Sequence, residues 1–461
     1  MKIKDIKLKT GLIILFSAVI IGPVAWLLLV RLEGGKPSII LEPVPISLGA
    51  SQELTITAAD IKSGLRNVWV GLLKDGKDFI LFKKNYPAPG ITGSPKVLKE
   101  SFKILIEPKK LGITDGKAIL RMAAGDYSWR NWLHGNRIYI EKDVIIDTRP
   151  PRIKLLTRSH NIAQGGAGLI IYSLSEPCPQ SGIYMGDNFF PGYSGHFSDK
   201  KIHMAFVGLN YTQKPGLQIY IEAVDAAGNS AKAGFSHYIR KRSFKRDAIV
   251  ISDSFLNWKM PEFDIDVSND AKISLIDKFL KVNRDFRQAS YMQIVKQAEK
   301  TEKTLLWNGK FLRLPNSARK ASFADHRAYK YKDRLIDRQV HLGMDLASVA
   351  HSPVPAANSG KVAFVGDISI YGITVIIDHG FGLFSMYSHL NSTEVVRGDV
   401  IQKGKIIGQT GTTGLAGGDH LHFGILIHNT FVNPVEWWDA VWIKNNIINK
   451  IKSVESRLGE E

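Results

Sequence analysis

Five side chains able to ligate a metal or move a proton fall in three short motifs between residues 341 and 428. His341-Leu-Gly-Met-Asp345 opens the stretch, Tyr387-Ser-His389-Leu390 lies in its middle, and His420-Leu-His422-Phe423 comes near its end. Imidazole nitrogen and carboxylate oxygen are the usual ligands of a tetrahedral divalent ion, and a catalytic site of that kind keeps three protein ligands and one position for water. The surrounding sequence reads as β. In a strand His420 and His422 point to the same face, and Leu421 and Phe423 point to the other, into a core. One histidine can then bind metal while its neighbour reaches the water. His341 and Asp345 would stand about 13 Å apart in a straight strand, too far for one ion with ligand bonds near ~2 Å. The backbone must bend between them, and Gly343 is where a bulge or kink is easiest. His326, His351, His379 and His428 have no such pattern around them and are read as structural.

In this order the three motifs resemble the lysostaphin/LytM-type zinc metallopeptidases, many of which cut peptide cross-links in bacterial peptidoglycan. That family carries an H-x-x-x-D element, a later Y-x-H-L element and a final H-L-H element. Its glycine-rich spacing is also present: Gly360-Lys-Val362, Tyr371-Gly372, Gly398-Asp-Val400, Gly404 to Gly408 and Thr410 to Gly414. The resemblance covers about residues 305 to 436. It implies that His341, Asp345 and His422 hold Zn2+, and that His389 and His420 act on the water and the transition state. Ser322-Phe-Ala-Asp-His-Arg327 occupies the place where related enzymes often show Ser-x-Phe-Gly-x-x-Arg. Ala324 stands where the glycine is expected, which bears on the turn and not on the zinc site.

These residues must be positioned by a longer chain. At 461 residues it is expected to hold about three domains. The net charge of +18 is spread along the sequence without an aromatic-basic recognition motif, so an anionic envelope or membrane surface is the expected partner and nucleic acid is not. Residues 2 to 9 carry four lysines and one aspartate, and Thr10 to Val30 carries no charge. That run has the length of a bilayer span, and the lysines favour a cytoplasmic amino terminus. It ends in Leu28-Leu-Val-Arg31-Leu without a cleavage pattern, so an uncleaved anchor is expected. Cys178 is the only cysteine, which rules out an intramolecular disulfide and any cysteine-based metal site.

The expected architecture is mostly β. Residues 1–35 form a cytoplasmic tail and one transmembrane helix; 36–148 and 149–245 form two immunoglobulin-like β-sandwich modules. Residues 246–304 form a helical linker, 305–436 an antiparallel β LytM-type peptidase domain, and 437–461 a carboxyl-terminal helix. Short strands and frequent turns carry the first module, with Leu65–Leu72 alternating around Trp69. In the second, Leu217, Ile219, Ile221 and Ala223 alternate with polar neighbours and Asp225–Asn229 turns the chain. In the linker, Ile273, Leu275, Ile276, Phe279, Leu280 and Val282 fall at helical spacing, with Asn269 or Asp270 as the cap.

The expected function is a metalloendopeptidase of the bacterial inner membrane, single-pass, with its catalytic domain in the periplasm. Its substrates would be peptidoglycan stem peptides, and the β modules would serve as spacers or dock on cell-wall or divisome proteins. The alternative is a non-enzymatic activator of a cell-wall amidase on the same fold.

Overall fold

The computed structural model describes residues 2–90, 93, 96–264 and 273–459. The chain divides into two compact units, Met1–Pro151 with Val224–Ser230, and Arg152–Ala223 with Ala231–Glu461.

In the first unit, helix α1 spans Lys2–Arg31. Ile14, Leu15, Phe16, Val19 and Trp26 along it are exposed. Among the described residues no helix is long and apolar enough to cross a membrane, so the expected span is not confirmed. Behind α1 lie two sheets. Ser38–Glu42, Gln52–Ala59 and Lys99–Ile106 form one, and Ser47–Leu48, Arg137–Ile146, Gly116–Asp126, Leu65–Lys74 and Lys77–Asn85 form the other, in that order. Alternation along the strands buries Leu54 and Ile56 from one sheet against Val70, Leu72 and Leu120 from the other in a single core. The module is two-layered β, as its turn spacing predicts; an immunoglobulin-like identity is not confirmed.

The second unit opens with further β-structure. Ile153–Leu155, Ala167–Leu174, Tyr193–Ser194 and Ile202–Gly208 share a sheet, and the predicted strand is present as Ile219–Val224. Three more strands pair as a separate sheet: β1 (Arg246–Val250), β3 (His326–Tyr331) and β4 (Arg334–Val340), with β1 parallel to β3. The helical region contains α2 (Asp253–Lys259), α3 (Leu275–Lys281) and α4 (Arg287–Gln297), and the π-helical turn Val282–Phe286 joins the last two. Asn269 and Asp270 lie outside the described residues. Ser274 caps α3, its hydroxyl accepting from the Asp277 amide.

Among the described residues, ten further strands build one antiparallel sheet, of which eight position the site. They are β2 (Ala318–Ala321), β5 (Met344–Ala347), β6 (Gly360–Asp367), β7 (Ile373–Asp378), β8 (Leu383–Thr393), β9 (Ile406–Thr410), β10 (Leu421–Ile427) and β11 (Thr430–Val432). Its central order is β2-β5-β10-β8-β7-β6. This sheet is buried on both faces, so β8 and β10 read as apolar runs rather than as alternating strands. Tyr387, Leu421, Phe423 and Ile425 face one core, together with Phe206 of the preceding β region and Trp437. Ile376, Phe384, Met386 and Leu426 face the other, together with Phe279, Val282 and Ile294 of the helices. The helices thus form a packed layer on the sheet. Tyr387 can be wholly buried because its hydroxyl accepts from the Ala357 amide at 2.7 Å and receives the Ser385 hydroxyl proton at 2.9 Å.

Trp437, in the short helix Pro434–Trp438, is fully buried and packs its ring against Phe206, Trp307 and Phe311 at 5.4–6.1 Å. Trp437→Ala is expected to lower stability by about 3–5 kcal/mol. Denaturant unfolding followed by tryptophan fluorescence should show the shifted midpoint.

Candidate metal centre

The site is assembled by strand register. Asp345 on β5 stands opposite His422 on β10, and Ser388 on β8 stands opposite the same histidine from the other side. Asp345, His422 and the neighbour of His389 therefore lie across three adjacent strands. His341 precedes β5, and the chain bends before Met344, as the spacing requires. Gly343 is at the bend for a second reason. A Cβ there would meet His422 Nε2 at 2.4 Å and the Phe423 carbonyl at 2.8 Å. A side chain at 343 would displace the imidazole.

Three donor atoms converge. His341 Nε2 is 2.9 Å from Asp345 Oδ1 and 2.9 Å from His422 Nδ1, and His422 Nδ1 is 3.0 Å from the same carboxylate oxygen. Bonds of ~2.0–2.2 Å to a tetrahedral ion place its ligands roughly 3.3–3.6 Å apart, close to this spacing. Among the described residues, His341, Asp345 and His422 are a group able to hold a metal ion. The hydrogen bonds outside the triangle suit that role. His341 Nδ1 donates to the Ser322 carbonyl at 3.0 Å, which turns the Nε2 lone pair inward. His422 Nε2 is buried with no hydrogen-bond partner, so Nδ1 is the nitrogen engaged with the other two donors. Two imidazole nitrogens and a carboxylate oxygen facing one another is a donor set a divalent ion satisfies.

His389 and His420 stand beside the triangle. Their rings are 4.8 Å apart, and His420 Nε2 is 3.6 Å from Asp345 Oδ1. Each is oriented by a backbone carbonyl. His389 Nδ1 donates to Thr413 at 2.8 Å, and His420 Nδ1 donates to Gly418 at 2.7 Å, leaving both Nε2 atoms as proton acceptors. His389 has φ +60°, at a point where β8 shifts register against its neighbours. Left-handed backbone in a non-glycine residue at a bulge redirects a side chain at a cost of about 1–3 kcal/mol and marks functional positions. His326, His351, His379 and His428 do not line the cavity holding these groups. His379 is spent on the Ser359 carbonyl and the Ser385 hydroxyl.

Burial and neighbouring charge set the protonation states. Burial alone would raise the Asp345 carboxyl, but the charge and hydrogen bond of His341, with hydrogen bonds from His420 and His422, hold it well below the usual range. Burial pushes His422 down to about 4 and, helped by the two neighbouring imidazoles, holds His389 well below the usual value. Burial also works against the charged form of His420, yet the Asp345 hydrogen bond and charge outweigh it and raise that group. The pocket therefore holds neutral imidazoles at His422 and His389, an anionic carboxylate at Asp345, and in His420 one ring disposed to take a proton.

Two contributors have no role in the sequence reading. Arg327 donates from Nη2 to Asp345 Oδ2 at 2.9 Å, so the carboxylate oxygen outside the triangle is answered by a fixed cation. The Ser322–Arg327 stretch points to this arginine, but nothing in it says which carboxylate it meets. Tyr371, valued in the sequence only for its place before Gly372, packs its ring 5.2 Å from that of His422. Ala324 adopts φ +62°, the conformation a glycine would take, and its amide donates to the His341 carbonyl at 2.7 Å. The turn survives the absence of the glycine.

Residues 339–434 match peptidase family M23. This stretch is an M23 peptidase domain. A 97-residue segment is 37% identical to the DD-carboxypeptidase/endopeptidase Mpg of Neisseria meningitidis serogroup B, covering 21% of this chain and 22% of that protein. A 96-residue segment is 32% identical to the peptidoglycan DD-endopeptidase ShyB of Vibrio cholerae, covering 21% and 22%. The chain thus spans about a fifth of the length of these curated relatives. The catalytic domain of lysostaphin from Staphylococcus simulans aligns with 28% of this chain over 98% of its own length, at 25% identity and a TM-score of 0.25. The first two motifs and the last all fall inside the M23 domain, whereas Arg327 and Ser322 lie before it.

Arg327→Leu should leave the three converging atoms in place but remove the partner that fixes Asp345. Affinity for a divalent ion is expected to fall about 10–100-fold, measured by competition with a fluorescent chelator.

Proposed function

We propose that this protein is a zinc-dependent endopeptidase acting on the D-alanyl peptide cross-links of peptidoglycan, a reading supported by relatives named as DD-endopeptidases. The observation that carries the reading is the convergence of His341 Nε2, Asp345 Oδ1 and His422 Nδ1 within 2.9–3.0 Å, with two further imidazoles at the same cavity. These three residues would hold the ion. Zinc bound there would polarise the scissile carbonyl and acidify the attacking water. The chain's own residues do the rest. His420 takes the proton of the attacking water at Nε2, since its basicity is raised and its ring is held by Gly418. His389, aimed by Thr413 and neutral at rest, would stabilise the oxygen that develops charge, or deliver a proton to the leaving amine, only once its Nε2 has taken up a proton within the site. Arg327 and the Ser322 carbonyl keep the ligands in register.

The envelope location and amino-terminal anchoring belong to the same proposal. They are supported by the uncharged run Thr10–Val30 and by the exposed apolar residues of α1. The two β modules are proposed as immunoglobulin-like spacers or docking elements for wall proteins. An amidase activator without activity of its own would have no use for five intact groups, so the catalytic reading is preferred.

The test is mass analysis of purified sacculi digested by the full chain, with and without chelator. Cross-linked muropeptide dimers should fall to monomers, and chelator should stop this until zinc is restored. Asp345→Ala and His422→Ala should abolish both zinc retention and cleavage. His420→Ala should retain zinc and lose about 10²–10⁴ in rate. Normal digestion by either ligand variant would refute the assignment.

A further inference from the structure

The cavity that holds the five site residues extends well beyond them. Its volume is about 410 Å³, within the ~300–1,000 Å³ of sites that enclose a small ligand. Its far wall comes from segments outside the M23 match. Ile249 and Ile251 at the end of β1, Phe255 of α2 and Phe279 of α3 face Ile370 and Leu415 of the peptidase domain. A bounded apolar wall of this kind suits one small side chain rather than an extended polar strand.

The charges lining the cavity are unbalanced in one direction. Asp345 is answered by Arg327 at 2.9 Å and Asp247 by Lys245 at 3.1 Å. Arg287 and Lys320 also line the cavity, and among the described residues neither has a carboxylate within ion-pair reach. Arg287 is held in place. It is the first residue of α4, directly after the π-helical turn, and it donates from Nε to the Asn283 carbonyl at 3.1 Å and from Nη2 to Asn283 Oδ1 at 2.7 Å. Asn283 is fully buried and is itself fixed by donating to Asp337 Oδ2 at 2.7 Å. A guanidinium clamped by a buried amide, with no anion of its own, has lost little further freedom to gain by binding one.

We infer that Arg287 binds the free α-carboxylate of the residue on the leaving side of the scissile bond, while the wall of Ile249, Ile251, Phe255 and Phe279 takes its small side chain. This rests on the hydrolase reading above and names the substrate feature that site selects: an amide one residue before a free carboxylate. Water adds its hydroxyl to the carbonyl carbon, the C–N bond breaks, and the proton goes to the amine of the residue held by Arg287. A peptide ending in D-alanyl-D-alanine has this chemistry, and one relative is named a DD-carboxypeptidase/endopeptidase. Lys320, exposed at the rim, draws the anion in but does not grip it.

The experiment compares the full chain, zinc-loaded, on a synthetic stem pentapeptide ending in D-alanyl-D-alanine and on the same peptide with its terminus amidated. The acid should show a KM at least tenfold below that of the amide. Arg287→Met should raise KM for the acid about tenfold, leave its kcat within about twofold and leave the amide unaffected. Arg287→Lys should recover part of the loss, and Lys320→Met should shift KM for the acid less than threefold. Unchanged zinc content and an unchanged thermal unfolding midpoint show that Arg287→Met is folded. Equal KM for acid and amide in the unaltered protein, or an Arg287→Met variant with unchanged KM, overturns the pocket assignment and leaves the hydrolase reading standing. Hydrolysis of neither peptide, nor of cross-linked sacculi, overturns both.

Discussion

A buried anionic carboxylate at Asp345 governs this structure. Burying a charge is costly unless it is paired and hydrogen-bonded. Here the carboxylate meets His341 and His422 on one oxygen and Arg327 on the other, with His420 close by. Those partners come from three segments, His420 and His422 sharing one, and each is fixed by something behind it. The Ser322 carbonyl holds His341, and strand pairing holds His422. Take away the carboxylate and three imidazoles and a guanidinium face one another without compensation. The sheet is arranged so that this does not happen.

That requirement explains features otherwise unrelated. Gly343 is bare because His422 lies against it. Ala324 accepts a left-handed backbone because its amide must reach the His341 carbonyl. His389 accepts one because β8 must aim that ring towards His420. Both faces of the central sheet are covered, by the helices on one side and by the β region with Trp437 on the other. Rigid, dry packing on both sides preorganises a site whose ligands must hold their places before substrate arrives.

Much of the centre was readable from the sequence because its parts are periodic or short-range. His420 and His422 share a face by the two-residue repeat of a strand, and the need for a bend between His341 and Asp345 follows from chain dimensions alone. What could not be read was set by distant packing. Arg327 is eighteen residues from Asp345 and meets it only through the sheet. The carbonyls of Ser322 and Thr413 are backbone groups that any residue could supply. The helical periodicity of residues 273–298 was legible, and packing of these helices was an expectation, but it gives no hint that Arg287, directly after the π-helical turn, would line the catalytic cavity. The apolar run near the amino terminus is helical, yet it was expected to span a bilayer, which the structure does not confirm.

The account stands on three side chains sharing one ion. Crystals of the zinc-loaded protein, measured on both sides of the zinc absorption edge, test this most directly. One anomalous peak should lie about 2.0–2.2 Å from His341 Nε2, an Asp345 carboxylate oxygen and His422 Nδ1. A map without a peak there, or with zinc bound only elsewhere, would contradict it.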